Sequence, residues 1–475
     1  MMTKTKEPLC FIKKHKYLII SLLAFVLAFS FFLFAYPYHL VRREQQNLFL
    51  YDLAYILRTY QGPGFVSRFL GDFLEQFFCF KILGALLVST LLTLTAVIVY
   101  KIFRRFAGKG FSFTVALIIY AWSFSRETGN TYITQYTIAV AGYLLFIYAA
   151  LRFKGTVLKI SSLIVFVALG IWFFGNPYHK YYGKLVGKPE FENEKLIAMD
   201  VETFRENWDK VLDLADDGLL YNEACYFQNL ASAMKGQLPD KLLSRPQNQS
   251  NGLFLFVNEV TPFSNGAAGE LWYHLGNMTL ADQSSMVAMQ SSPKHTGARF
   301  IQRLAMINLI SEEYGAAEKY LKILDKTLVY HGWARSMMPG RQNDGTIEKL
   351  NDYRSRLVKK DRVAPGNHYY LLLKDLLEAN PNNLLARDYL LCFELLSFDL
   401  ETFMRDFDPS EDKSHLYQEA ALVWLNIQYG LGKITDVNFD DYGISEETVG
   451  RLGRFYKYPE NYKDTYWYYF TYARD

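Results

Sequence analysis

The sequence predicts an all-α protein, with an N-terminal bundle of about five apolar helices followed by a water-soluble array of helix pairs. Three observations predict it. Five apolar stretches fall within the first 176 of the 475 residues. Residues 1–176 hold 18 Lys+Arg against 6 Asp+Glu, whereas residues 177–475 hold 33 against 42. From residue 188 onward apolar residues recur at helical spacing, without sustained strand alternation. With 51% apolar and 17% aromatic residues the chain can bury a core, which excludes disorder. Four cysteines are too few for a disulfide scaffold.

The apolar stretches are Tyr17–Tyr36, Ile82–Tyr100, Phe111–Ser125, Tyr132–Leu151 and Ile160–Asn176. About 20 helical residues cross a bilayer core of roughly 30 Å. None of the five contains Asp, Glu, Lys, Arg or His, which counts against an ion path or a proton relay. Lys101, Arg104, Arg105 and Lys109 follow the second stretch, and Arg152, Lys154 and Lys159 follow the fourth. With the basic N-terminus they mark one side, so five spans place the N-terminus in the cytoplasm and residues 177–475 outside. Trp172, Tyr178, Tyr181 and Tyr182 fit an aromatic belt at the outer interface.

Residues 37–80 form the first outer loop. Phe65, Val66, Phe69, Leu70, Phe73, Leu74 and Phe77 make an apolar stripe, and Ser67, Arg68, Asp72, Glu75 and Gln76 a polar face. Gln61-Gly62-Pro63-Gly64 is a turn before this helix, and residues 48–57 suggest another. Two amphipathic helices lying in the membrane interface are expected. Just outside the first span, Arg42 and Arg43 are candidate lipid-phosphate ligands, because a guanidinium presents a fixed fork of donors. Glu44 is the candidate general base there, with Asp72 and Glu75 in reserve. The simpler reading pairs the arginines with headgroups and gives Glu44 a local structural role. In outline, residues 17–100 are similar to integral-membrane glycosyltransferases that use polyprenyl-phosphate donors, although those enzymes have many more spans.

Residues 177–475 form the soluble half. With Pro262 as position 1 of a 34-residue unit, Gly269 is position 8, Trp272 position 11, Ala281 position 20, Ala288 position 27 and Pro293 position 32. A second unit from Ala298 places Leu304, Ala305, Tyr314, Ala317, Leu321 and Leu324 correspondingly. This pattern resembles tetratricopeptide repeats, whose small residues let paired helices approach. The resemblance implies an α-solenoid with a concave face for a peptide or helix. Trp272, Tyr273, His274, Arg299, Gln302, Arg303 and Asn308 are the partner-binding candidates by position in the repeat. The aromatic tail Tyr466–Phe470 reads as a terminal helix docked on the array.

No histidine or cysteine set has metal-ligand spacing, so no metal or cofactor is expected. Cys225 and Cys392 read as buried free thiols. Phosphate-loop, dinucleotide-fold and nucleophile-elbow motifs are absent, and the acidic soluble half argues against nucleic acid.

The stretches YPYHLVRREQQNLFL, QGPGF and FLEQFF within Tyr36–Phe80, and Ala298–Ala334, together resemble an uncharacterised family of polytopic bacterial envelope proteins with a helical-repeat half. That resemblance implies an inner-membrane protein with its C-terminal domain in the periplasm, and it brings no catalytic residues. The expectation is a membrane-anchored interaction protein, a scaffold or assembly subunit. Its partners would be membrane lipids and another envelope protein or peptide. A membrane enzyme acting on a lipid-linked sugar or lipid phosphate through the first outer loop is the alternative.

Overall fold

The computed structural model describes residues 7–129, 134–175, 187–215, 222–247, 249–255, 259–358 and 368–473. Tyr178, Tyr181 and Tyr182 of the expected aromatic belt lie outside the described residues. Helices and turns make up the described chain, and no strand occurs among these residues. Residues 249–252 form a helical turn, and Leu253 and Phe254 after it are buried.

The chain divides into two units, and neither is continuous in sequence. The first comprises Met1–Ile197, Pro293–Gln302 and Glu318–Arg341. The second comprises Ala198–Ser292, Arg303–Ala317 and Gln342–Asp475.

The first unit opens with α1 (Glu7–Ser30), extended by a π-helical turn over Phe31–Ala35. Short helices α2 (Tyr38–Gln45), α3 (Leu53–Thr59) and α4 (Phe65–Glu75) follow. Then come α5 (Lys81–Phe103), α6 (Lys109–Glu127), α7 (Thr134–Ala150) and α8 (Thr156–Phe174). Among the described residues three segments are long and apolar enough to cross a bilayer: Lys16–Ala35, Lys81–Phe103 and Thr156–Phe174. The sequence leads to an expectation of five. Among the described residues Thr134–Ala150 of α7 is a shorter apolar helix, with Thr134, Gln135 and Thr137 buried. Helix α6 ends in buried Arg126 and Glu127, so its last turn belongs to a polar interior. At the core of this unit Ala28, Phe32 and Tyr36 pack with Leu40, Phe78, Ala85, Val88 and Leu92.

Two glycine positions set the packing beside α4. Gly64 takes φ 81° and donates its N–H to Trp172 O at 2.9 Å, so the turn before α4 seats on the end of α8. A Cβ on Gly71 would lie 2.2 Å from Cγ of Gln135, so only glycine lets α7 bring that side chain across α4.

Helix α9 (Phe191–Phe204) begins in the first unit and ends in the second. The second unit continues with α10 (Trp208–Ala215), α11 (Asn222–Met234) and α12 (Leu238–Lys241). Next are α13 (Pro262–Leu275) and α14 (Met278–Ser291), then α15 (Ala298–Ile310) and α16 (Tyr314–Asp325). After α17 (His331–Ser336) come α18 (Asp344–Ser355), α19 (Tyr369–Ala379) and α20 (Leu384–Leu396). The chain closes with α21 (Leu400–Asp406), α22 (His415–Gly430), α23 (Glu446–Phe455) and α24 (Tyr466–Tyr472).

The repeat spacing locates helix pairs correctly. Thr261 caps α13 in a reciprocal box with Ser264, and Pro262 takes the first helical turn. Gly269 faces Ser284 so closely that a Cβ there would lie 2.9 Å from the serine Cβ, while Ala281 and Ala288 are fully buried. The next pair departs from a uniform array. Residues 298–302 of α15 and 318–325 of α16 belong to the first unit, and 303–317 between them to the second. The aromatic tail docks as α24: Trp467 Nε1 donates to Glu419 O at 3.2 Å, and Tyr466 N to Glu419 Oε2 at 2.8 Å. Cys225 and Cys392 are free and buried.

Candidate functional site

Helix α4 is built inside out relative to a water-soluble helix. Ser67, Asp72 and Glu75 on its polar face are buried, while Leu70 is exposed and Phe65, Phe69 and Phe73 are half-exposed. Ionised carboxylates tolerate burial only with partners. The partners come from three other stretches of the first unit.

Lys294 forms an ion pair with Asp72 Oδ1 and donates to Asn47 Oδ1 at 2.9 Å. Gln135 Nε2 donates to Asp72 Oδ1 and, at 3.1 Å, to Glu75 Oε2. Asn47 Nδ2 reaches the same Glu75 oxygen at 3.2 Å. Tyr60 OH donates to Asp72 Oδ2 at 2.9 Å. Burial raises the Glu75 pKa, the Lys294 ammonium opposes the rise, and the neighbouring Asp72 adds to it. Burial also disfavours the charge on Lys294, yet Asp72 and Glu75 outweigh this and its pKa is raised. A third of the Lys294 side chain is exposed, although its ammonium has Asp72 and Asn47 as partners.

A second set of bonds lies on α2. Tyr330 OH donates to Glu44 Oε1 at 2.6 Å. Arg43 Nη1 pairs with Glu127 Oε2 at 2.8 Å, and its Nη2 donates to His39 Nε2 at 2.8 Å. Thr137 donates to the other Glu127 oxygen at 2.6 Å. Burial and the adjacent Arg43 hold His39 well below the usual imidazole range, so its Nε2 is an acceptor. Glu194 accepts from the N–H groups of Tyr38 at 2.6 Å and His39 at 3.0 Å, satisfying the first turn of α2. Its pKa is raised to about 8 by burial, against those two donors. The space between Glu44, Asn47, Gln76 and Tyr330 is about 10 Å³, at the lower limit for one water molecule.

The structure thus brings Asp72 and Glu75 together and gives Glu44 a separate partner. Arg43 faces Glu127, and Arg42 is half-buried on the last turn of α2. Sequence reasoning missed Lys294, Gln135, Asn47, Tyr60, Tyr330 and Glu127. No local signal marks Lys294, which follows Pro293 at the end of an unrelated helix pair. Among the described residues no group of His, Cys, Asp and Glu has the geometry to hold a metal ion.

The expected partner-binding residues are mostly interior. Trp272, Tyr273, His274, Arg299 and Arg303 are buried. In the second unit Arg303 pairs with Glu270 and lies 3.7 Å from the ring centroid of Tyr273 and 4.9 Å from that of Phe204. His274 Nδ1 and Tyr353 OH are 2.9 Å apart in a hydrogen bond. Asn308 bonds back to Leu304 O at 2.7 Å. In the first unit, Gln302 is half-buried on α15. The aromatic and Arg side chains at these positions are packed inside, and Gln302 and Asn308 are half-buried.

A family model described as a family of unknown function, DUF6057, matches residues 12–183 and 178–473. The chain belongs to the DUF6057 family. No curated protein and no solved structure matches this DUF6057 member.

Proposed function

We propose that this DUF6057 protein is a membrane-anchored helical scaffold or assembly subunit. It would sit in the bacterial inner membrane through α1, α5 and α8, with α6 and α7 packed among them. Its second unit would present a protein-interaction surface at the outer, periplasmic face. The observation that carries the reading is the Asp72–Glu75–Lys294 cluster. It fastens residues 293–302 to α4 in the unit that holds the three long apolar helices. Cross-linking in native membranes, followed by affinity purification and mass spectrometry, is the test. A stoichiometric protein partner is expected, and its recovery should fall in Lys294→Gln. Recovery of no partner from intact membranes overturns the reading.

One observation favours the enzyme alternative. Asp72 and Glu75 share Gln135 as a donor, and Glu75 holds its proton more tightly than an ordinary carboxyl. Such a pair can divide acid and base roles on a lipid-linked sugar or lipid phosphate. Glu44→Gln keeps an acceptor for Tyr330 but no base. Full restoration of a deletion strain by that variant removes Glu44 from any chemistry.

A further inference from the structure

Helices α1, α5 and α6 enclose a groove of about 250 Å³, each contributing one stripe of its surface. An apolar cavity of about 150 Å³ is enough to hold benzene, so this space is large enough for a length of hydrocarbon chain. Small side chains hold the walls apart: Ser21 and Ala24 on α1, Ala96 on α5, and Ala116 on α6. The hydroxyls along the wall are turned to backbone. Ser21 Oγ donates to Tyr17 O at 2.8 Å, Thr93 Oγ1 to Ser89 O at 2.8 Å, and Tyr120 OH to Ala24 O at 2.7 Å. Between its tyrosine-lined end and Tyr120 the wall therefore asks little that is polar of an occupant. One side opens past Leu18, 68% exposed, and Leu117, 42% exposed. Two of the three helices are among those long enough to span a bilayer, so that side faces acyl chains if the membrane reading above holds.

One end of the groove is basic. Tyr17 and Tyr100 line it, and Lys16 and Lys101 are their chain neighbours. Lys109 lies one helical turn before the lining residue Phe113. All three lysines are exposed. Arg105 reaches across to Leu151 O and lies 5.1 Å from the Tyr148 ring centroid, which brings the basic loop after α7 to the same end. No Asp or Glu occurs between Glu75 and Glu127 to neutralise this collar.

We propose that the groove holds an acyl chain of one anionic bilayer phospholipid, with its phosphate met by Lys16, Lys101 and Lys109. The inference rests on the membrane reading of α1 and α5. An apolar slot ending in exposed lysines matches a phosphate ester on a hydrocarbon chain. A second copy packed side by side and parallel would instead bring two like-charged collars together.

The full chain, purified in mild detergent, is titrated with phosphatidylglycerol and with phosphatidylcholine of the same chains, and bound lipid is counted by native mass spectrometry. One phosphatidylglycerol per chain is expected, bound at least about tenfold more tightly than phosphatidylcholine. Ala116→Phe, which fills the groove, should abolish that preference. Lys101→Gln with Lys109→Gln should cut it at least about fivefold at unchanged Tm. Equal binding of the two lipids overturns the proposal. So does undiminished phosphatidylglycerol binding by a folded Ala116→Phe protein, or a dimer that excludes lipid. If Ala116→Phe does not fold, the double lysine variant decides. An alkaline carbonate wash of membranes separates the two readings. Release of the protein overturns the membrane reading itself, whereas a retained protein without lipid preference overturns only the lipid site.

Discussion

Removing the Arg303 guanidinium, which lies over the rings of Tyr273 and Phe204, would take the ion-pair partner from buried Glu270. Breaking one side of such a pair costs about 3–5 kcal/mol, because the remaining charge keeps its desolvation penalty. Arg303→Met is expected to lower unfolding stability in detergent by that amount, and adding Glu270→Gln should restore much of it. Residue type alone misleads at this position. An Arg near Trp272 and Tyr273 in a repeat reads as a recognition surface, and the same chemistry also closes a core. Asp72 and Glu75 are visible in the sequence as acids on a helix. Their partner Lys294 is not, because a lone lysine acquires meaning only when the chain returns to α4 more than two hundred residues later. The histidines tell a related story. Burial pulls both His39 and His274 well below the ordinary imidazole range, which suits neutral rings in fixed hydrogen bonds.

At the scale of the element, spacing in the sequence locates α4 but does not say which face lies inside. An apolar stripe and a polar face describe equally a helix on water and a helix whose polar side seals against protein. Only the partners on Asn47, Gln135 and Lys294 decide between them. Glycine chemistry is more legible: Gly62 and Gly64 mark the turn before α4, and Gly269 the close helix pair. Gly71 gives no such mark, because a glycine within a helical pattern has no signature of what crosses it. Gly71→Ala places a Cβ 2.2 Å from Gln135 Cγ, so Gln135 must withdraw from the carboxylates or α7 must shift. Overpacking of this kind costs about 1–3 kcal/mol. The variant should lose stability by that amount, and Gly71→Ala with Gln135→Ala should recover the steric part. Thermal unfolding of the two proteins in one detergent checks this.

For the whole molecule, the all-α class and the basic-then-acidic order of the chain are legible, because composition and period report them directly. The division into units is not, since it depends on which segments return to which core. Buried acids in both units give stability a definite dependence on pH. Burial raises Glu194 in the first unit to about 8 and Glu419 in the second to about 7. In the unfolded chain both are ionised above about pH 5. The folded protein therefore keeps protons that the unfolded chain has released, and its stability falls as pH rises through 7 and 8. Every tenfold difference in proton affinity between the folded and unfolded chain corresponds to about 1.4 kcal/mol. His39 and His274 act in the other direction only below about pH 6.5, where the unfolded chain begins to protonate. The midpoint of thermal unfolding should fall between about pH 6.5 and about pH 9, less steeply in Glu194→Gln; a flat profile in the native sequence contradicts the assignment. The return of residues 293–302 and 318–341 to the first unit also has a meaning in time. Asp72 and Glu75 leave the ribosome long before Lys294, and at about 5–20 residues per second the interval is roughly 10–45 s. Throughout that interval two carboxylates sit on an apolar helix with their cation still unsynthesised. The segment that is translated first is thus among the last to reach its final state, and during biogenesis its acids are open to protonation or to the grip of a chaperone.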